Sequence, residues 1–371
     1  MTWDHPRGYD PLVACSAVWE GRTGVRVEWD RRSLQDFESF PVAELAERYD
    51  LIVIDHPHVG QITREQCLVP LDDGADVALL RRDYVGASLA SYEWEGRLWA
   101  LPIDAAAQVQ AWRPDRLVSP PLDWLEMLEL ATAGAVLCPL RPPHNLMALF
   151  TLSGLTGSPA CADGPELLQP AGAGVAYELL RELTACIDRS CFAMDPIAVL
   201  ERMAQPDCAC VSSPLIYGYV SYSHRGGEPA GRRAAIAFGD LMPLLSGSPP
   251  TGSALGGTGI AVSARSAQRQ AALEFARWVA GPEAQSGPYV AGGGQPASTA
   301  AWEDAAANGA ALDFYRNTRA TLEGAWLRPR HAGYMRFQHT AAERLLHGLE
   351  WGEPAHSVIT AINRLFQGVA T

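Results

Sequence analysis

The chain opens on alternating strand-like and helix-like stretches. Thr2-Trp3 reads as a short strand stub, and His5-Pro6-Arg7-Gly8 as a turn. Apolar spacing then predicts a helix over residues 12–20 that stops near Gly21. Val25-Arg26-Val27-Glu28-Trp29 alternates in the manner of a half-buried strand. A short helix over 42–48 precedes Asp50-Leu51-Ile52-Val53-Ile54-Asp55, whose unbroken apolar run fits a parallel sheet covered on both faces. Such alternation argues for an α/β lobe with right-handed crossovers.

From Leu98 the pattern changes. Residues 98–103 read as a strand that continues extended through 105–112, followed by a helix over 123–133 and a buried strand over 135–140. Helices around 177–180 and 198–203 lead to a strand at Cys208-Ala209-Cys210-Val211. A Gly/Pro/Ser-rich stretch at 244–258 lies between strands predicted over 209–213 and 254–262. An amphipathic helix over 268–279 restarts at Gly281-Pro282, where proline suits a first helical turn. After the loop Gly292-Gly293-Gly294-Gln295-Pro296 come helices over 340–347 and 354–366, with Gly348 as the stop between them. No internal repeat stands out.

Composition narrows the function. A chain of 371 residues with 48% hydrophobic content exceeds one small core and suggests two lobes. No stretch approaches the roughly 20 apolar residues needed to span a bilayer, so the chain is not expected to be membrane-embedded. A net charge of -13 disfavours nucleic acid as a partner. All 29 basic residues are arginine. Without lysine there is no phosphate-loop lysine and no Schiff-base chemistry. The eight cysteines form no zinc-type double pair. Cys208 and Cys210 read either as a redox pair or as two small buried residues of a strand. No cofactor and no metal is expected.

Four stretches, in order, carry a family resemblance. They are Gly8-Tyr9 through Thr23-Gly24-Val25-Arg26-Val27; Tyr49-Asp50-Leu51-Ile52-Val53-Ile54 with Cys67-Leu68-Val69-Pro70-Leu71; Tyr92-Glu93-Trp94-Glu95-Gly96-Arg97-Leu98-Trp99-Ala100-Leu101-Pro102; and Ala272-Leu273-Glu274-Phe275-Ala276-Arg277-Trp278 through Gly292-Gly293-Gly294-Gln295-Pro296. Together they resemble the extracellular solute-binding protein family 1, the maltose-binding-protein-like group, over nearly the whole chain. The resemblance implies a two-lobed α/β periplasmic-binding-protein type II fold, with hinge strands and an interlobe cleft. It implies lobe one at 1–103 plus about 256–300, lobe two at 104–255, and C-terminal helices at 301–371 packing on both. A monomer that delivers a small-molecule ligand to an ABC transporter permease follows from the same likeness. The location implied is periplasmic or extracytoplasmic. Met1-Thr2-Trp3-Asp4 shows no signal-peptide pattern, so a cytoplasmic place is expected if the chain is full length.

Cleft candidates follow from loops that the resemblance turns toward the ligand. On the first lobe these are Trp3, Asp4, His5 and Arg7, with core packing or a turn cap as the plainer reading of Trp3 and Asp4. Asp55, His56 and His58 end the apolar strand and can serve as polar contacts to a ligand, the imidazoles as donors, as an exposed turn or, with a third group, as metal ligands. Asp104 follows the hinge segment as ligand acceptor or cap. On the second lobe the candidates are Arg141, His144, Asn145 and Ser213, with Tyr217 and Tyr219 as aromatic platforms or core. Trp326, Arg330 and Tyr334 close the set. Ile54 stands where sugar-binding relatives carry tryptophan, and arginines and histidines crowd these loops. That pattern argues against a simple oligosaccharide and for a smaller ligand bearing a carboxylate or other anionic group, while the family likeness implies a carbohydrate-like one. Two other classes stay open: a cytosolic sensor or carrier, and an enzyme on the same scaffold using Asp55, His56 and His58. No G-x-S-x-G elbow supports a serine hydrolase.

Overall fold

The computed structural model describes residues 1–33, 41–72, 77–161, 164, 166–224, 233–245 and 248–369. Its spine is a sheet in the order β3 (Leu51–Ile54), β9 (Leu255–Val262), β6 (Leu101–Trp112), β7 (Ser212–Tyr217), with β8 (Ala237–Gly239) also on β6 and a small hairpin of β4 (Glu93–Trp94) and β5 (Arg97–Leu98) just before β6. The 12-residue β6 is the crossing element. Its first half pairs with β9 from Leu101 to Ala107, and its second half pairs with β7 and β8 from Gln108 to Trp112. One strand thereby belongs to both lobes of a two-lobed α/β molecule.

The four apolar residues of β3 are all buried, as an unbroken run predicts. Their partner, however, is antiparallel: Leu51 faces Val262 and Ile54 faces Gly259. Among the described strands, the one parallel pair lies on the other side of β3. There β1 (Thr2–Trp3) runs beside β2 (Arg31–Arg32), and Met1 bonds Leu51 and Val53 through their backbones. The alternating segment 25–29 is no strand, because the pairing with β1 begins at Asp30. Residues 208–211 likewise lead into a strand that starts only at Ser212.

Helix α1 (Pro6–Thr23) starts six residues earlier than apolar spacing predicts. The supposed turn is the helix start itself: His5 is its N-cap, accepting from the Arg7 N–H, and Pro6 fills the first helical position. Lobe two is built on α2 (His144–Leu155), buried throughout, and α3 (Pro170–Cys186). After α4 (Arg269–Ala280), the C-terminal pair α5 (Tyr334–Trp351) and α6 (Ala355–Gln367) packs together, with α5 against α2 and α6 against α3. Gly348 does not stop α5, which ends at Gly352 in a left-handed cap. A side chain at 348 would collide with Val358, so this glycine serves the close approach of α5 and α6.

A short repeat is present after all. Gly134-Ala135-Val136-Leu137-Cys138-Pro139 and Gly324-Ala325-Trp326-Leu327-Arg328-Pro329 share Gly-Ala-x-Leu-x-Pro at an offset of 190. Each segment leaves a helix, makes one parallel bridge and turns into a cleft-side helix. Val136 bridges Ser212 and Trp326 bridges Ala254, at the starts of β7 and β9. The turn bonds match as well: His144 N–H to Arg141 O in one, Tyr334 N–H to His331 O in the other.

Candidate functional site

A cavity of about 630 Å³, its open mouth included, lies where the halves meet. Trp3 at the end of β1, Arg7 in the first turn of α1 and Asp55 after β3 reach it from lobe one. Asp104 enters from β6 at an irregularity in the β6–β9 register, between Pro102 and Asp104. Such bulges re-aim a side chain next to a site. The β9 residues Gly256, Gly257 and Thr258 lie beside it. Gly257 takes φ of +100°, and a Cβ there would sit 2.3 Å from the Asp104 carbonyl oxygen, so only glycine fits. Across the gap stand Pro143, His144, Met147, Pro196, Tyr217 and Tyr219.

Two buried ion pairs hold this wall. Arg7 Nε donates to Asp104 Oδ2 at 2.7 Å and Nη2 to Oδ1. Its Nη1 donates across to the Gly218 carbonyl at 3.0 Å, and its guanidinium lies 4.3 Å from the Tyr219 ring centre. Arg328 Nη2 donates to both Asp55 oxygens, at 2.8 and 2.7 Å. Its Nε reaches Leu255 O and its Nη1 reaches Gln338 Oε1, each at 3.2 Å. Burial works against the Asp55 carboxylate, but Arg328 and then His56 outweigh it and hold the group well below the usual range. For Asp104 burial prevails, raising the carboxyl despite Arg7. Charge in the cavity is thus paired off, and neither arginine is a bare cation waiting for an anion.

What remains unpaired is neutral and polar. His144 Nδ1 and Thr258 Oγ1 are buried and have no hydrogen-bond partner among the described residues. Buried polar atoms without partners are rare and call for an explanation. Burial pushes the His144 imidazole down to about 4, helped by Arg328 and Arg141 and opposed by Asp195. It is therefore neutral at ordinary pH.

Seven of the residues expected from sequence meet on the cavity wall: Trp3, Arg7, Asp55, Asp104, His144, Tyr217 and Tyr219. The others lie elsewhere, each for a physical reason. Asp4 points out to solvent and pairs with Arg31 at 3.1 Å. His5 is used as a helix cap, its ring edge-on to Tyr219 at 5.1 Å, and burial lowers it to about 4. His56 and His58 form a buried turn, not a chelating rim; His56 sits 3.2 Å from Asp55 and edge-on to Tyr92. Arg141 is 41% exposed, 3.7 Å from Asp195. Asn145 fastens α2 to α5 through Ala342 O, and Ser213 is buried in β7. Trp326 packs on Phe150 at 5.1 Å. Arg330 donates to the carbonyls of Ala90, Ser91 and Glu93, stapling the C-terminal segment to lobe one. Tyr334 is wholly buried behind the wall.

Sequence reasoning missed Arg328, although it named both of its alternate neighbours, Trp326 and Arg330. The signal was the Gly-Ala-x-Leu-x-Pro repeat, which sets Arg328 beside Cys138 as a buried residue on a cleft-side segment. Gly256, Gly257 and Thr258 were read only as strand. Among the described residues no three His, Cys, Asp or Glu side chains stand close enough to hold a metal ion, and no helix is long and apolar enough to cross a membrane.

Comparison with known proteins agrees with this architecture. Maltose-bound MalE3 of Thermotoga maritima superposes with a TM-score of 0.81 at 15% identity, over 97% of this chain and 96% of that one. The GacH receptor of Streptomyces glaucescens, solved unliganded and with acarbose, gives 0.79 at 16% identity over 100% and 96%. A ribitol-bound ABC transporter solute-binding protein of Agrobacterium radiobacter gives 0.76 at 18% identity over 97% and 96%. No curated protein matches the chain. Residues 19–312 match the family described as bacterial extracellular solute-binding protein, and the chain belongs to that family.

Proposed function

We propose that this protein captures a small polar solute outside the cytoplasm by closing its two lobes, and hands it to the permease of an ABC importer. Lobe one comprises residues 1–103 and about 256–300, lobe two residues 104–255, with 301–371 packing on both. The observation that carries the reading is the pair of buried polar atoms without partners on opposite sides of the cavity, His144 Nδ1 from lobe two and Thr258 Oγ1 from β9. A solute with hydroxyl groups satisfies both at once and joins the walls. Tyr217, Tyr219 and Trp3 offer aromatic faces to its carbon skeleton. Hinge bending at β6 and β9 is the motion that admits it. The maltose, acarbose and ribitol in the structures above support a polyhydroxylated ligand.

A thermal-shift screen over sugars, polyols, organic acids and amines tests the proposal. A solute at a hundredfold excess over its Kd stabilises the folded form by roughly 2.7 kcal/mol. Small-angle scattering should show the particle contract with the same compound. A compound that binds without contraction, or is chemically turned over, counts against a capture protein.

A further inference from the structure

The wall that carries His144 differs in kind from the rest of the cavity. Helix α2 begins at His144, and Pro143, His144 and Met147 around its start form that wall. Twelve residues of helix bring a positive dipole end there. No acidic side chain occupies the first turn, whose His144, Leu146 and Met147 N–H groups are met within the protein by Arg141 O, by Asn145 Oδ1 and by Pro143 O. Independently of the helix, His144 is 5% exposed, and its buried Nδ1 has no hydrogen-bond partner among the described residues. The carboxylates on the cavity wall, Asp55 and Asp104, are each engaged by an arginine. This end of the site therefore offers a positive helix end and one unspent imidazole nitrogen, and the acidic group that acts on it, Asp195, is not on the cavity wall.

We propose that the solute is an acid: a polyhydroxylated chain or ring bearing a carboxylate, which docks on the start of α2 and accepts from His144 Nδ1–H. The inference rests on the reading of the cleft as a solute site and deepens it. The hydroxylated remainder extends toward Thr258 and over Tyr217 and Tyr219. Charged groups acting on His144 are Arg141 and Arg328, which oppose its protonation, and Asp195, which favours it. The Tyr217 ring stands edge-on at 6.3 Å. A docked carboxylate adds a second negative neighbour and favours the imidazolium, so binding takes up a proton as the solution is acidified.

Matched pairs test this: D-glucuronate against D-glucose, and D-ribonate against ribitol, by titration calorimetry of the full chain near neutrality and at about pH 5.5. At least one acid should bind about tenfold or more tightly than its neutral partner, the size of a charge-assisted hydrogen bond. The preference should grow toward the lower pH, with proton uptake visible between buffers of different ionisation enthalpy. His144→Gln should shrink the preference about tenfold and abolish the uptake, with an unchanged circular dichroism spectrum. Proton uptake by the unsubstituted protein keeps the test valid if that variant misfolds. Equal or tighter binding of the neutral partners overturns the inference while leaving the solute reading intact. So does an unchanged preference in His144→Gln, or failure of both acids to bind when the broader screen finds another ligand.

Discussion

The segments 134–147 and 324–337 share one backbone plan and carry opposite chemistry. Both run Gly-Ala-x-Leu-x-Pro, bridge a sheet strand in parallel and turn into a helix beside the cavity. In the C-terminal copy, Arg328 and Arg330 are committed: one to Asp55, Leu255 and Gln338, the other to three backbone carbonyls. In the lobe-two copy the matching positions are Cys138 and Leu140, buried and apolar. Of its polar residues, Arg141 and Asn145 have partners in Asp195 and Ala342, while His144 lines the cavity with a nitrogen unspent. The same fold unit serves once as a staple and once as a reading surface. The difference lies in where the unspent polar atom sits: on the cavity wall in His144, away from it in Tyr334.

The largest effect should come from breaking the staple. Arg328→Ala leaves Asp55 buried without its counter-ion, which costs about 3–5 kcal/mol. The matching Cys138→Ala removes only a buried sulfur and should cost about 1 kcal/mol. Urea denaturation of the two variants measures the gap. Equal losses would mean that the segments bear load alike and the contrast drawn here is wrong.

A second, smaller effect is pH-dependent and belongs to the lobe-two copy. His144 has its folded pKa lowered to about 4 from an ordinary 6.5. Between these values the unfolded chain binds a proton that the folded chain refuses, so stability is full above about pH 6.5 and falls as pH drops toward 4. At pH 5 the loss is roughly 2 kcal/mol for this residue. His5 and His56 carry shifts of the same sign and size. The Met1 ammonium, lowered to about 5, and His331, also lowered by burial, add to the same slope, so His144→Gln should remove about a fifth of the slope of apo stability against pH. Tyr334, at the matching position, has its phenol pushed up by burial and contributes nothing in this range. An unchanged slope in His144→Gln would place the acid sensitivity elsewhere.

How much of this was legible in the sequence follows the range of each interaction. The apolar run of β3, the long strand β6 and the amphipathic C-terminal helices came from local periodicity, and the order of motifs pointed to the family. The antiparallel β3–β9 pairing joins residues some 200 positions apart, and no local pattern states it. The site divided in the same way. Strand ends, helix starts and the β6 irregularity put Trp3, Arg7, Asp55, Asp104, His144, Tyr217 and Tyr219 on the wall. Whether a polar side chain there faces the cavity or a neighbour depends on remote partners. Asn145 turns to Ala342, Arg330 to Ala90 and Glu93, and His5 to its own helix. Arg328 was overlooked because its role depends on Asp55, which is distant in sequence.

The smallest effect is the most informative about the comparison. Tyr334 occupies the place of His144 and also has a buried polar atom, its hydroxyl, without a partner among the described residues. Unlike His144, it does not line the cavity: it is fully buried, near Arg328, Asp55 and Tyr217. A hydroxyl stripped of water and given nothing in return is a net cost, so Tyr334→Phe should stabilise the apo protein by about 1 kcal/mol. If the two segments divide labour as argued, that gain comes with ligand affinity unchanged within about twofold, whereas His144→Gln loses affinity. Thermal denaturation and calorimetry of the same samples read both quantities. A Tyr334→Phe variant that keeps its stability but loses affinity would show that the C-terminal copy also reads the solute, and the distinction between staple and surface would fail.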